Sequence, residues 1–187
     1  AKREKLIDRI GKVSLYAINV KHGVPCLGYK IKEDDSINIR REMLEKFRIK
    51  PGKYLNELKQ GKDVEYNGKV LKASNFTYIK KGKKIVYLTD LRYEKRLSRF
   101  AKDADLLIIE ATLSSKFEKK AREIYHLTIA DALRIGKEAN VKKLVVVHTS
   151  QRYEDTNIIE QEAKVLKDKM KLNFNIIIGR DLMRLSP

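Results

Sequence analysis

Three short apolar runs, each ending in a residue with chemistry to offer, constrain this chain more than any other feature. Residues 144–147 read Leu-Val-Val-Val and lead into His148. Residues 85–88 lead to Thr89 and Asp90, and residues 106–109 lead to Glu110. Short apolar runs bounded by polar residues predict strands buried on both faces, the kind found inside α/β sheets. Ligands of open α/β sheets gather in the crevice outside the carboxyl ends of the strands. One polar strand end is ordinary loop chemistry. Three that carry His, Asp and Glu in one small chain predict the wall of an active site.

A chain of 187 residues suffices for one good-sized domain or a compact core with an appendage. Lys and Arg number 42 against 25 Asp and Glu, a formal net charge of +17. That surplus points to a polyanionic partner, nucleic acid before an anionic membrane. A heat-adapted surface would explain abundant charge of both signs better than such an imbalance. No apolar stretch approaches the roughly 20 residues that span a bilayer. The opening AKREKLIDRI is charged and amphipathic, unlike a signal peptide. The single cysteine, Cys26, excludes an intrachain disulfide and fits a reducing cytoplasm. It also excludes cysteine-based zinc sites, so any metal here leans on carboxylates and on His22, His126 and His148.

Taken in order, residues 2–10 predict a short helix with Leu6, Ile7 and Ile10 on one side. Strands follow at 12–20 and 24–33, with His22 in the turn between them. Asn38 is placed to cap a helix over 39–47, which stops before Pro51. A short basic helix with Leu55 and Leu58 inward closes at Gly61. Residues 64–72 fold back about Asn67-Gly68, a strong hairpin signal. Residues 39–72 thus form small elements with little apolar surface of their own, inserted as an arm between 1–38 and 73–187. From residue 85 strands and helices alternate. Helices are expected at 94–103, at 115–124 with Phe117, Ala121 and Ile124 inward, from Thr128 as cap to about 140, and at 157–170. Residues 174–178 and 182–185 are expected to close the sheet.

Several segments occur in fixed order: HGVPCLGY at 22–29, KPGKYLNELKQGKDV in the arm, KGKKIVYLTD at 81–90, ADLLIIEAT at 104–112, His126-Leu127-Thr128, and LVVVHTSQRY at 144–153. This set resembles ribonuclease Z, the metallo-β-lactamase-fold endonuclease that trims the 3′ trailer from precursor tRNA. The likeness runs from about residue 15 onward. It implies an α/β (α+β) fold that is the C-terminal half of the αββα sandwich, with an inserted tRNA-binding arm.

Carried over, His22 is similar to a ligand of one zinc, Asp90 to the carboxylate bridging two, and His148 to a ligand of the second. Glu110 and His126 resemble the pair that helps protonate the leaving ribose oxygen. Lys50, Lys53, Tyr54, Lys59, Lys62 and Arg152 are the residues expected to contact RNA. Departures from the family pattern include Leu91 after the bridging Asp, Ile109 before Glu110, and Pro51-Gly52 in the arm. The hallmark H-x-H-x-D-H occurs nowhere in these residues; in the family it lies upstream. The resemblance therefore implies two Zn2+ per complete site, most of whose ligands come from a missing N-terminal half in the same or a separate chain. This chain alone would be inactive. The expected partners are precursor tRNA, that missing half, and a second copy of the chain. An apolar inner sheet face would otherwise stay wet. Two rival functions remain: a non-catalytic RNA-binding module on this fold, and a metallo-β-lactamase-fold hydrolase of small molecules.

Overall fold

The computed structural model describes residues 4–151, 153 and 157–187. It divides into two compact units, one joining Ala1–Glu33 to Lys83–Pro187, the other Asp34–Gly82.

The first unit opens with β1 (Lys5–Ile10), β2 (Val13–Val20) and β3 (Cys26–Glu33), an antiparallel meander. The expected helix at 2–10 is instead the strand β1. Leu6, Ile7 and Ile10 do carry helical spacing, but nine residues are too few for a stable isolated helix. The free edge of β2 offers a full ladder of backbone partners. Gly11, at φ +58°, makes the tight reversal between the two strands.

The second unit runs through β4 (Ser36–Ile39), α1 (Arg41–Lys46), α2 (Tyr54–Lys59), β5 (Val64–Tyr66), β6 (Lys69–Leu71), α3 (Ala73–Phe76) and β7 (Thr77–Lys80). Asn38 is not a helix cap: it lies in β4 opposite Tyr78, and Arg40 precedes α1 without a capping side chain. The β4–β7 pairing closes the unit, which makes it wider than the 39–72 read from sequence. The unit also has a core of its own, contrary to expectation. Leu44, Ile49, Leu58, Val64, Leu71 and Phe76 are buried together. The hairpin turn is as expected, with Asn67 and Gly68 both at positive φ.

The first unit resumes with β8 (Lys84–Leu88), α4 (Arg96–Phe100), β9 (Leu106–Glu110), a 3-10 turn at Ser115–Phe117, α5 (Glu118–Glu123), α6 (Ile129–Glu138), β10 (Lys143–Val147), α7 (Asn157–Lys169) and β11 (Asn175–Ile178). The sheet order is β1-β2-β3-β8-β9-β10-β11, with β8 to β11 parallel. One face carries Val86, Leu88, Leu107, Ile109, Leu144 and Val146, fully buried with Leu97, Leu133 and Ile159 of the helices. The opposite face leaves Leu27, Tyr29, Ile31 and Tyr87 exposed.

Two further expectations fail here. Phe117 and Ile124 are exposed, because the 3-10 turn before α5 breaks the periodicity that would have turned them inward. Residues 182–185 form no strand. The chain turns away after Gly179, and Lys143 Nζ and Lys83 Nζ hold the carbonyls of Ser186 and Pro187. Among the described residues no helix is long and apolar enough to cross a membrane.

Candidate active site

Strand direction brings the site together. β3 is antiparallel to both β2 and β8, so β2 points the same way as β8, β9 and β10. The chain after each of these four strands therefore emerges at one edge of the sheet. His22 follows β2, Asp90 follows β8, Glu110 ends β9, and His148 follows β10. His126 arrives from the break between α5 and α6, where a bridge between Leu113 and Thr128 ties that loop back beyond β9.

All five residues converge. The rings of His22 and His126 lie 5.0 Å apart, and those of His126 and His148 are stacked at 5.3 Å. His148 Nε2 is 3.4 Å from Asp90 Oδ1. Candidate ligand atoms of His22, Asp90 and His126 all fall within 4.8 Å of one another. Asp90 and His148 have φ of +51° and +57°. A non-glycine residue in this region costs of order 1–3 kcal/mol, and such strain concentrates at functional sites.

Glu110 is the buried hub. It is fully inaccessible. One oxygen accepts the Leu91 amide at 2.7 Å. The other accepts the Thr112 hydroxyl at 2.5 Å, the His126 Nδ1–H at 2.9 Å and the Leu127 amide at 3.3 Å. Glu110 also lies within reach of His126 and His148 as a third metal-type donor. However, both its oxygens are already engaged, which suits an orienting acceptor better than a ligand. The hydrogen bond that His126 donates to Glu110 raises the pKa of His126 above the ordinary imidazole value. Burial opposes the rise, and the charges of Glu110 and Asp90 add to it.

Each histidine is tied through the same ring nitrogen. His22 Nδ1 donates to the Tyr125 carbonyl at 3.1 Å, His126 Nδ1 to Glu110, and His148 Nδ1 lies 3.0 Å from Thr112 Oγ1. A carbonyl and a carboxylate can only accept, so the first two rings keep Nε2 unprotonated when neutral. Tyr125, at φ +59°, is the residue that aims this carbonyl. Neither Tyr125 nor Thr112 was singled out from sequence. Thr112 had a signal, standing two residues after Glu110 and hence on the same side of an extended chain. Nothing local marks Tyr125.

A divalent cation is consistent with this donor set: two imidazoles whose Nδ1 atoms are held by acceptors and a third whose Nδ1 lies beside the Thr112 hydroxyl, next to a half-buried carboxylate. Oriented histidines of this kind are the ordinary surroundings of metal-ligating imidazole.

In the second unit Lys50, Lys53, Lys59 and Lys62 are exposed. A cavity of about 950 Å³ there has Leu44 and Ile49 in its wall and Arg41, Arg48, Lys50 and Lys59 about it. Tyr54 is half-buried, its ring 5.1 Å from that of Tyr66. Arg152 lies outside the described residues.

Residues 47–149 match the β-lactamase superfamily domain, and the chain belongs to that superfamily. Its fold is the metallo-β-lactamase fold. Within it, curated relatives carry the name ribonuclease Z. The protein from Nanoarchaeum equitans is 43% identical over 141 residues, covering 75% of this chain and 44% of its own. That from Saccharolobus solfataricus is 36% identical over 145 residues, covering 78% and 49%. The chain thus spans about half the length of the curated relatives it matches. Among solved structures, human tRNase Z, short form, superposes with a TM-score of 0.57 at 20% identity, over 99% of this chain and 47% of that one. The metallo-β-lactamase fold protein YhfI from Bacillus subtilis gives 0.56 at 18% identity, over 91% and 48%. At these identities the two structures speak for the fold alone.

Proposed function

We propose that this chain is the portion of a tRNA 3′-processing endonuclease that carries the proton-donating pair and part of a zinc centre. The reading rests on one observation above all: the convergence of His22, Asp90, Glu110, His126 and His148 at one sheet edge, in a chain whose curated relatives are ribonucleases Z. His22, Asp90 and His148 would hold zinc, Asp90 as the carboxylate ligand beside the two imidazoles. Three side chains cannot complete two four-coordinate zincs. Further ligands would come from an H-x-H-x-D-H segment, which these 187 residues do not contain. The bound ions would supply charge neutralisation at the scissile phosphate and an activated water.

The chain's own contribution is proton delivery. Glu110 holds the His126 ring by Nδ1, leaving Nε2 to carry a proton toward the leaving ribose oxygen. The raised pKa of His126 keeps more of the donor form available near neutral pH. Lys50, Lys53, Lys59 and Lys62 would meet the tRNA backbone, with Tyr54 bracing the arm from within and Arg152 a further phosphate contact. The exposed face at Leu27, Tyr29, Ile31 and Tyr87 would be covered by the complementary half or by a second copy. The single thiol suits a cytoplasmic setting.

The test is cleavage of precursor tRNA with Zn2+ added, by this chain alone and combined with the H-x-H-x-D-H half. Cleavage is expected only in combination, and His126→Ala should slow it by about 10²–10⁴. Cleavage that is indifferent to His126, or no binding of tRNA by either preparation, overturns the reading.

A further inference from the structure

Thr112 sits where three reactive side chains meet, and its hydroxyl owns a single hydrogen. Oγ1 lies 2.5 Å from Glu110 Oε2, 3.0 Å from His148 Nδ1 and 3.3 Å from His126 Nδ1. Only one of these partners can receive the proton. A separation of 2.5 Å between a hydroxyl and a carboxylate oxygen is that of a charge-assisted O–H···O⁻ bond, so the hydrogen belongs on the Glu110 side. His126 Nδ1 is already committed to Glu110 at the shorter distance of 2.9 Å. What Thr112 has left for His148 is a lone pair.

We infer that Thr112 is a positioning residue that selects the tautomer of His148: it donates to Glu110, accepts from His148 Nδ1–H, and so leaves His148 Nε2 as a bare donor atom beside Asp90. The consequence follows from the inventory of the ring. A neutral imidazole carries one N–H, so a hydrogen held at Nδ1 empties Nε2. That atom is the one 3.4 Å from Asp90 Oδ1.

The hydroxyl is well placed for this task because its backbone is fastened on both sides. The Ala111 amide donates to Val147 O at 3.0 Å, and the Ser150 amide to Thr112 O at 3.1 Å. These bonds continue the β9–β10 pairing past the strands and lock Thr112 to the very segment that carries His148. Thr112 is also nearly buried, at 8% exposure, so water does not compete for the hydroxyl. With Tyr125 O on His22 and Glu110 on His126, all three rings are then set the same way, Nδ1 to an oxygen and Nε2 outward. One buried carboxylate serves two of them, His126 directly and His148 through Thr112.

The functional weight of this assignment rests on the hydrolytic reading above, but its test does not. Long-range 1H–15N correlation spectra report which ring nitrogen of His148 bears hydrogen, on metal-free protein at a pH where the rings are neutral. Wild type and Thr112→Ser are expected to show Nδ1–H. Thr112→Val, which keeps the shape and removes the acceptor, should shift His148 toward Nε2–H. A titration with Zn2+ alone should find about 10–100-fold weaker binding in Thr112→Val, as when other outer partners of metal-binding histidines are lost, with recovery in Thr112→Ser. Nε2–H in the wild type overturns the inference, whether or not the valine variant folds, and so does an unchanged tautomer in a folded Thr112→Val. A wild-type His148 that is Nδ1–H in a protein taking up no zinc supports the role of Thr112 and counts against the metal-dependent reading instead.

Discussion

Glu110 shows how a single side chain can be both structural and chemical. Its two oxygens accept two backbone amides, a hydroxyl and a ring N–H from four different positions in the chain. Removing it would orphan the Leu91 and Leu127 amides in a fully buried place. Breaking a buried, hydrogen-bonded charge set costs about 3–5 kcal/mol. Glu110→Ala should therefore lose stability of that order in urea denaturation, apart from any effect on catalysis. His126→Ala removes a partner from the rim of the site and should cost less. If the two variants proved equally stable, Glu110 would be a site residue only. This ordering also guides the cleavage experiment, where His126→Ala is the cleaner probe.

At the scale of elements, two terminal devices hold the parallel strands and helices in place. Thr128 and Asp131 form a reciprocal capping box at the start of α6, with Thr128 also donating its hydroxyl to Asp131 at 2.8 Å. Thr128→Ala should lower stability by about 0.5–2 kcal/mol in thermal melts. It would also loosen the loop that delivers His126.

At the opposite edge, Asp105 precedes β9 and accepts the Lys84 amide at 2.9 Å and the Lys142 ammonium at 2.7 Å. Burial pushes its carboxyl pKa up, but the hydrogen bonds from Lys142 and Lys84 and the charges of Lys142 and Lys83 outweigh this and hold it below the ordinary value. A depressed folded-state pKa means that the stabilisation is complete above the unfolded carboxyl value, near 3.9, and disappears as pH falls through the folded one. Asp105→Ala should accordingly destabilise the protein by about 1–3 kcal/mol at neutral pH. The gap to wild type should close in acid, and urea midpoints against pH would reveal a gap that instead stayed constant.

For the whole molecule the sheet is asymmetric. One face is sealed by helices, while Leu27, Tyr29, Ile31 and Tyr87 face outward from β3 and β8 at 37–45% exposure. Contiguous exposed apolar groups mark interaction surfaces. Replacing Tyr29 and Tyr87 with Ser should change stability by no more than about 0.5 kcal/mol each. It should also weaken self-association or docking of a complementary half, and reduce apolar-dye binding. Sedimentation at micromolar concentration would read the first effect. Variants that lose cooperative folding instead would place these rings in the core of the unit.

Much of this organisation was legible in local sequence. The runs before Asp90, Glu110 and His148 became parallel strands of the sheet. β9 and β10 are covered on both faces, as continuous apolar runs require, whereas β8, expected to be the same, is buried on one face only and leaves Tyr87 exposed on the other. Thr128 with Asp131, and Asn67 with Gly68, also behaved as their local chemistry requires, since capping and tight-turn geometry involve only neighbours in the chain. Other features depended on partners far away in sequence. Residues 5–10 have helical spacing and became a strand because β2 had an edge to fill. Asn38 has the side chain of a cap and was taken into β4 by Tyr78, forty residues on. The same holds at the site. Sequence supplied the three histidines and two carboxylates, whereas the groups beside those rings, Tyr125 O and Thr112 Oγ1, are in place only once the α5–α6 break has met the turn after β2 and the loop after β9 has met the end of β10. Side-chain identity determines which donors and acceptors are available; which of them face one another is a property of the folded backbone, and no local pattern encodes it.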